Sequence, residues 1–287
     1  MTIRKILVPL TGIGDETAAV ESALTVARRL KAHVEIFHAA VDPRDAVAFV
    51  GEGMTSAMIE QIMSAAETEG KERSVRVRDL FDKICTRDAV PRANRPGSGG
   101  FSAEYVQRVG REDDLVAEQG RVADLIVTCK PPAEEQPNRS LALETALRGT
   151  GRPVLIVPEA MREGYGKTVA IAWNGSIEVS RAVGLSMPFL EHADRVVVLS
   201  VDEPSSYGPP AADAIGYLAW HGIKADGAAL QSGERPQGQT LLAAAAEHGA
   251  DLMVQGAYTR SRMKRLIFGG VTGEVLARTT IPVVMTH

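Results

Sequence analysis

The sequence predicts an α/β protein made of two tandem, doubly wound domains, each with a five-stranded parallel sheet. Two observations carry this. Short continuous apolar runs alternate with amphipathic helical patterns along the chain, and the order of segments in the first half recurs in the second. Apolar runs without polar alternation read as strands buried on both faces, the mark of a parallel sheet covered by helices.

The repeat is visible residue by residue. Lys5-Ile-Leu-Val-Pro-Leu-Thr-Gly12 matches Thr168-Val-Ala-Ile-Ala-Trp-Asn-Gly175, each an apolar run closed by a polar residue and a glycine. A helical stripe follows in both copies: Ala19, Ala23, Val26 and Leu30, then Val179, Val183, Met187 and Leu190. Those spacings put one apolar face on each helix. Ala123-Asp-Leu-Ile-Val-Thr128 matches Ala250-Asp-Leu-Met-Val-Gln255, and Arg152-Pro-Val-Leu-Ile-Val-Pro158 matches Ile281-Pro-Val-Val-Met-Thr-His287. The expected domains are 1–160 and 165–287.

In the first half the pattern predicts strands near 5–10, 33–40, 101–107, 124–129 and 153–157. Helices are expected near 16–31, 54–86, 111–121 and 139–148. The second half predicts strands near 168–173, 194–201, 225–230, 251–255 and 281–286, with helices between them. The first half is longer, and the extra length is assigned to an insertion over 75–100. Pro91-Arg-Ala-Asn-Arg-Pro-Gly-Ser-Gly-Gly100 within it reads as a loop.

Composition narrows the function. With 45% hydrophobic and 24% charged residues the chain is ordinary for a globular protein, and a net charge of −4 implies no broad nucleic-acid surface. Two cysteines, Cys85 and Cys129, make no disulfide framework and read as reduced, partly buried thiols. The apolar run near the N-terminus is broken by Thr11-Gly-Ile-Gly-Asp15, too early for a secretory core, and no stretch reaches membrane-span length. A cytoplasmic protein is expected. His33 and His38, five apart on one strand, should face opposite sides. No metal-ligand spacing, nucleophile elbow or Walker lysine loop is present, so no catalytic residue is assigned.

The chemistry concentrates at the C-terminal end. The apolar run Asp251-Leu-Met-Val-Gln255 is followed by Gly256 and the basic segment Ala257-Tyr-Thr-Arg-Ser-Arg-Met-Lys-Arg265. Gly269-Gly270 then opens a helical pattern, Val271-Thr-Gly-Glu-Val-Leu-Ala-Arg278. A glycine loop between strand and helix start lets backbone N–H groups reach a phosphate; equally, Gly256 ends a strand and the pair starts a helix. Arg260, Arg262, Lys264 and Arg265 are either phosphate-neutralising cations or a solvated loop. Thr259 and Thr272 supply hydroxyls for a ligand or for capping. Asn174 has both a donor and an acceptor for a nucleoside, and Asn-Gly-Ser over 174–176 also suits a turn and helix cap.

This segment resembles the universal stress protein family. Its nucleotide-binding members carry Gly, two residues, Gly, nine residues, then Gly and Ser or Thr. Here the same frame reads Gly256, Thr259, Gly269 and Gly270. Thr259 stands at the second glycine and Gly270 at the hydroxyl residue, while Thr11 and Asn174 stand where an Asp follows the first strand. The resemblance implies Rossmann-like domains with strand order 3-2-1-4-5, ligands binding where strands 1 and 4 part. It implies a cytoplasmic stress-response protein that binds or senses adenine nucleotide, ATP with or without Mg2+, turning it over slowly at most. The nucleotide residues it implies are Ala172, Trp173, Asn174, Val201, Gln255, Gly256, Thr259, Arg260, Gly269, Gly270, Val271 and Thr272. The last strands of paired domains associate in the family, so one chain mimics a dimer and two chains pair again. The first half's loop Thr128-Cys-Lys-Pro-Pro-Ala-Glu-Glu-Gln-Pro-Asn-Arg-Ser140 has no glycine and carries Glu134-Glu135, so that half is expected to be structural. The alternative is a ligand-free scaffold acting through protein contacts.

Overall fold

The computed structural model describes residues 2–44, 55–95, 100–131, 137–159, 164–201, 208–231, 233–257 and 270–287. Ten strands among them form one continuous sheet. The first half supplies β1 (Lys5–Pro9), β2 (His33–Ala40), β3 (Ser102–Val109), β4 (Leu125–Cys129) and β5 (Val154–Val157). The second supplies β6 (Thr168–Ala172), β7 (Arg195–Val201), β8 (Ala225–Leu230), β9 (Leu252–Gly256) and β10 (Val283–Thr286). The order across the sheet is β3-β2-β1-β4-β5-β10-β9-β6-β7-β8. Each half therefore has the order 3-2-1-4-5, as the resemblance implied.

Every pairing within a half is parallel. The halves join by one antiparallel pairing, Val283 opposite Ile156, Val284 opposite Leu155 and Met285 opposite Val154. All six of these side chains are fully buried, so the seam is core. Burying each such side chain contributes about 1.5–3 kcal/mol.

Helices cover both faces. On one lie α1 (Thr17–Leu30), α2 (Ser56–Arg87), α5 (Ile177–Leu185), the short α6 (Met187–Leu190) and α7 (Ala211–Trp220). On the other lie α3 (Glu112–Arg121), α4 (Pro137–Gly149), α8 (Gln237–Glu247) and α9 (Gly270–Arg278). The stripe predicted for the second half's first helix is buried at Val179, Val183, Met187 and Leu190. It is shared by two helices because Pro188 lies in the first turn of α6, where a ring without an N–H is tolerated.

The repeated Ala-Asp-Leu motif has a structural cause. Asp124 Oδ2 accepts the N–H groups of Arg4 and Lys5 at 2.8 and 3.0 Å. Asp251 likewise accepts those of Gly166, Lys167 and Thr168 at 2.9, 3.2 and 3.0 Å. Each carboxylate pins the chain as it enters the central strand of its half.

The halves differ most in one helix. α2 has 32 residues and its counterpart α7 has 10. Val77, Phe81, Ile84 and Cys85 of α2 are buried against the sheet, so the first part of the 75–100 stretch belongs to the core, and the added helical length precedes it. Pro91 and Ala93 then bond to Ala103 of β3, while residues 96–99 lie outside the described part.

Candidate functional site

The parallel register brings the C-terminal ends of β7, β6 and β9 side by side. Ala172 lies opposite Leu199 of β7 and Gln255 of β9. Ala172, Trp173, Asn174, Val201, Gln255 and Gly256 therefore gather at the strand ends of the second half, the crevice in which doubly wound sheets bind ligands.

Each has a definite environment. Trp173 is buried, and its indole Nε1–H donates to Pro209 O at 2.9 Å. Asn174 is exposed, and its Oδ1 accepts the Ser176 N–H at 3.1 Å. Ser176 caps α5, its Oγ accepting the Val179 N–H at 3.3 Å. The capping role that Asn-Gly-Ser suits is thus in use, and the Asn174 side chain still stands at the surface of the crevice. Gly175 has φ +73°, and Gly208 lies so close that an added Cβ there would stand 2.1 Å from Gly175 O. Only two glycines let these backbones cross.

Gly256 also has a packing reason. A Cβ added to it would lie 2.7 Å from Val179 N and 2.8 Å from Glu178 Cβ, so the start of α5 rests directly on the end of β9. Next to it, Gln255 is 3% exposed. Its Nε2 lies 3.7 Å from Met285 Sδ, and its Oε1 has no hydrogen-bond partner among the described residues. A buried amide oxygen without a partner costs about 1–3 kcal/mol.

Gly270 opens α9 with φ +60°, a left-handed conformation that a Ser or Thr adopts only under strain. The hydroxyl residue of the family frame would be strained at this place. Val271 is half-buried, and Thr272 is buried. α9 is held in turn by Glu274, whose Oε2 accepts the Gly238 N–H of α8 at 2.7 Å. Thr259, Arg260 and Gly269, with Arg262, Lys264 and Arg265, lie outside the described residues.

The equivalent strand end of the first half is closed by its own chain. Glu16, 6% exposed, accepts the Thr11 N–H and Oγ–H at 3.0 Å each and the Gly12 N–H at 2.9 Å. From α2, Arg76 Nε donates to Gly12 O at 2.9 Å, and a Cβ on Gly12 would meet Arg73 O at 2.7 Å. Arg73 forms an ion pair with Glu69 and lies close enough to His38 and Glu112 to act on both. His38 is 2% exposed, with Nδ1 against Leu10 O at 2.9 Å and Nε2 partnerless among the described residues. Burial, reinforced by Arg73, holds its pKa below the usual range. Burial and the neighbouring Glu16 push the Glu112 carboxyl up to about 7. His33 faces the other side of the sheet, clasping Ser102 Oγ at 2.9 Å and Glu104 Oε1 at 3.2 Å.

Sequence reasoning missed Glu16 and Arg73. The available signal was Asp15-Glu16 just after Gly12: a carboxylate at a helix start reaches back to the N–H groups of the preceding turn. Arg73 gives no comparable local signal, because its position depends on the length of α2.

Residues 223–287 match the model of the universal stress protein family. No curated protein matches the chain. Among solved structures it is similar in fold to a universal stress protein from Archaeoglobus fulgidus, with 15% identity, a TM-score of 0.65, and coverage of 99% of this chain and 96% of that one. It is also similar to a functionally unknown protein from Pseudomonas aeruginosa, with 16% identity, a TM-score of 0.58, and coverage of 99% and 92%.

Proposed function

We propose that this chain belongs to the universal stress protein family, whose model matches residues 223–287, and that it binds adenine nucleotide at the strand ends of its second half, acting as a cytoplasmic nucleotide-binding or nucleotide-sensing protein. One observation carries the reading. The second half keeps a buried amide oxygen at Gln255 that has no partner among the described residues, beside the crevice, whereas the first half's equivalent crevice is filled by Glu16 and α2.

In this reading Ala172, Trp173 and Val201 line the nucleoside side, and Asn174 offers hydrogen bonds to ribose or base. The N-terminal turn of α9, from Gly270 through Val271 and Thr272, faces the phosphates with the positive end of its dipole. Thr259, Arg260 and Gly269, outside the described residues, are the further nucleotide contacts of this reading, and the ligand is ATP with Mg2+. The domains divide at 1–160 and 165–287, and two chains form a homodimer. No described helix is long and apolar enough to cross a membrane.

The second reading, a ligand-free scaffold, is favoured by Gly256 and Gly270. The first is used in packing against α5, and the second stands where the family frame has a hydroxyl. Calorimetric titration with ATP and AMP in Mg2+, beside a Gly269→Val variant, separates the two. Heat from the parent and none from the folded variant supports the nucleotide site. Silence of the folded parent up to about 1 mM ligand, where affinity is only about −4 kcal/mol, overturns it in favour of the scaffold.

A further inference from the structure

The ten-stranded sheet has two edges, and they are finished differently. At the β3 edge the Ala103 N–H donates to Pro91 O at 2.9 Å, and the Ala93 N–H donates to Ala103 O at 3.2 Å. A proline-bearing segment thus lies along β3, which itself carries Glu104 and Arg108. These are the usual guards against edge-to-edge pairing. At the other edge, β8 reads Ala-Asp-Gly-Ala-Ala-Leu, and it ends the sheet with nothing paired outside it among the described residues. Its single charge, Asp226, is held by Arg195 at 3.2 Å. Beside it, α7 turns an apolar face outward. Trp220 is 91% exposed and Tyr217 is 47% exposed, with the small, exposed Ala212 and Gly216 on the preceding turn.

We propose that two copies of the chain pair through this edge, β8 against β8 and α7 beside α7, about a two-fold axis perpendicular to the sheet. A second β8 supplies the backbone donors and acceptors that the open edge lacks. The two-fold runs the strands antiparallel and places both α7 helices on the same face of the sheet, also antiparallel. Charge fits this arrangement. Asp213 is exposed at the start of α7, and His221 and Lys224 are exposed at its end and just beyond. Each acidic start then meets a partner's basic end, and Asp226 on β8 is ion-paired with Arg195 of its own chain. The chain makes one junction of this kind within itself, where the equivalent strands β5 and β10 pair antiparallel. The proposal names the surface of the homodimer and does not depend on nucleotide binding.

Sedimentation velocity of the full chain from about 1 to 100 µM, the range in which an association near −8 kcal/mol is half complete, tests it. The expected species has twice the 30.6 kDa chain mass. Trp220→Glu and Ala229→Lys each return it to monomer with an unchanged far-ultraviolet spectrum. Val109→Glu, at an exposed position on β3, leaves the dimer intact. Association also shifts the tryptophan emission to the blue, and Trp220→Phe removes that shift. A parent that stays monomeric over the whole range overturns the proposal, as does a dimer that survives Trp220→Glu or Ala229→Lys or is dissociated by Val109→Glu.

Discussion

The two halves build the same strand order and finish their strand ends in opposite ways. In the first, Glu16 takes three hydrogen bonds from Thr11 and Gly12, and α2 lies against Gly12. In the second, Asn174 makes a single turn bond to Ser176, and Gln255 keeps a buried oxygen without a partner among the described residues. The difference teaches that a repeated fold does not carry its crevice with it. A carboxylate at a helix start and a longer helix close the strand end of the first half, and the second half has an exposed amide, Asn174, in the corresponding place.

The sharpest way to break this comparison is at its glycines. Gly256→Val drives a branched side chain into the backbone of α5 and should cost about 3 kcal/mol or more. Chemical denaturation should show this loss with or without nucleotide. A loss below about 1 kcal/mol would mean that Gly256 is not a packing requirement. Glu16→Ala comes next. It strips the partners from two backbone N–H groups and a hydroxyl, and should destabilise by about 2–3 kcal/mol, against about 0.5–1 kcal/mol for Asn174→Ala. Equal losses would erase the contrast between a closed and an open strand end.

A third test uses pH. The folded Glu112 carboxyl, near 7, titrates above its ordinary value of 4.5, so its protonated form favours the fold. That contribution is complete below about pH 4.5 and is lost as pH rises through about 7. The charges facing it are Glu16, Arg73 and Asp113. The melting temperature of the parent should therefore fall between pH 6 and 8 by a few degrees, on the order of 2–4 °C, and Glu112→Gln should flatten that slope. An identical slope in the variant would place the proton elsewhere. The smallest effect concerns Lys130, whose Nζ lies 3.4 and 3.3 Å from Ala277 O and Thr279 O at the end of α9. A cation there favours the helix dipole, and Lys130→Ala should cost about 0.5–1 kcal/mol, read by denaturant midpoint.

Most of the fold was legible because it rests on local pattern. All ten strands begin and end within two residues of their predicted places, since each is an apolar run bounded by polar or glycine residues. The helix broken before Pro188 was hidden because its apolar stripe runs on unbroken across the gap. The strand-end gathering of Ala172, Asn174 and Gln255 was legible only through the family resemblance, which places ligands where strands 1 and 4 part. The packing of Gly256 on α5 was not, because a glycine spared for a ligand and one spared for a helix look the same in sequence. The closure of the first crevice depends on where α2 passes, and the length of a helix does not say what lies beneath it.

The antiparallel seam between β5 and β10 also sets an order of events at the ribosome. β5 leaves the ribosome long before β10, with the whole second half in between, and its four residues, Val-Leu-Ile-Val, are all fully buried in the finished protein. At translation rates of about 5–20 residues per second, β5 waits on the order of ten seconds for its partner. For that time the nascent first half presents a bare apolar edge in the middle of what will become the sheet. Chaperone dependence, if it is measured, should therefore centre on the interval before β10 emerges.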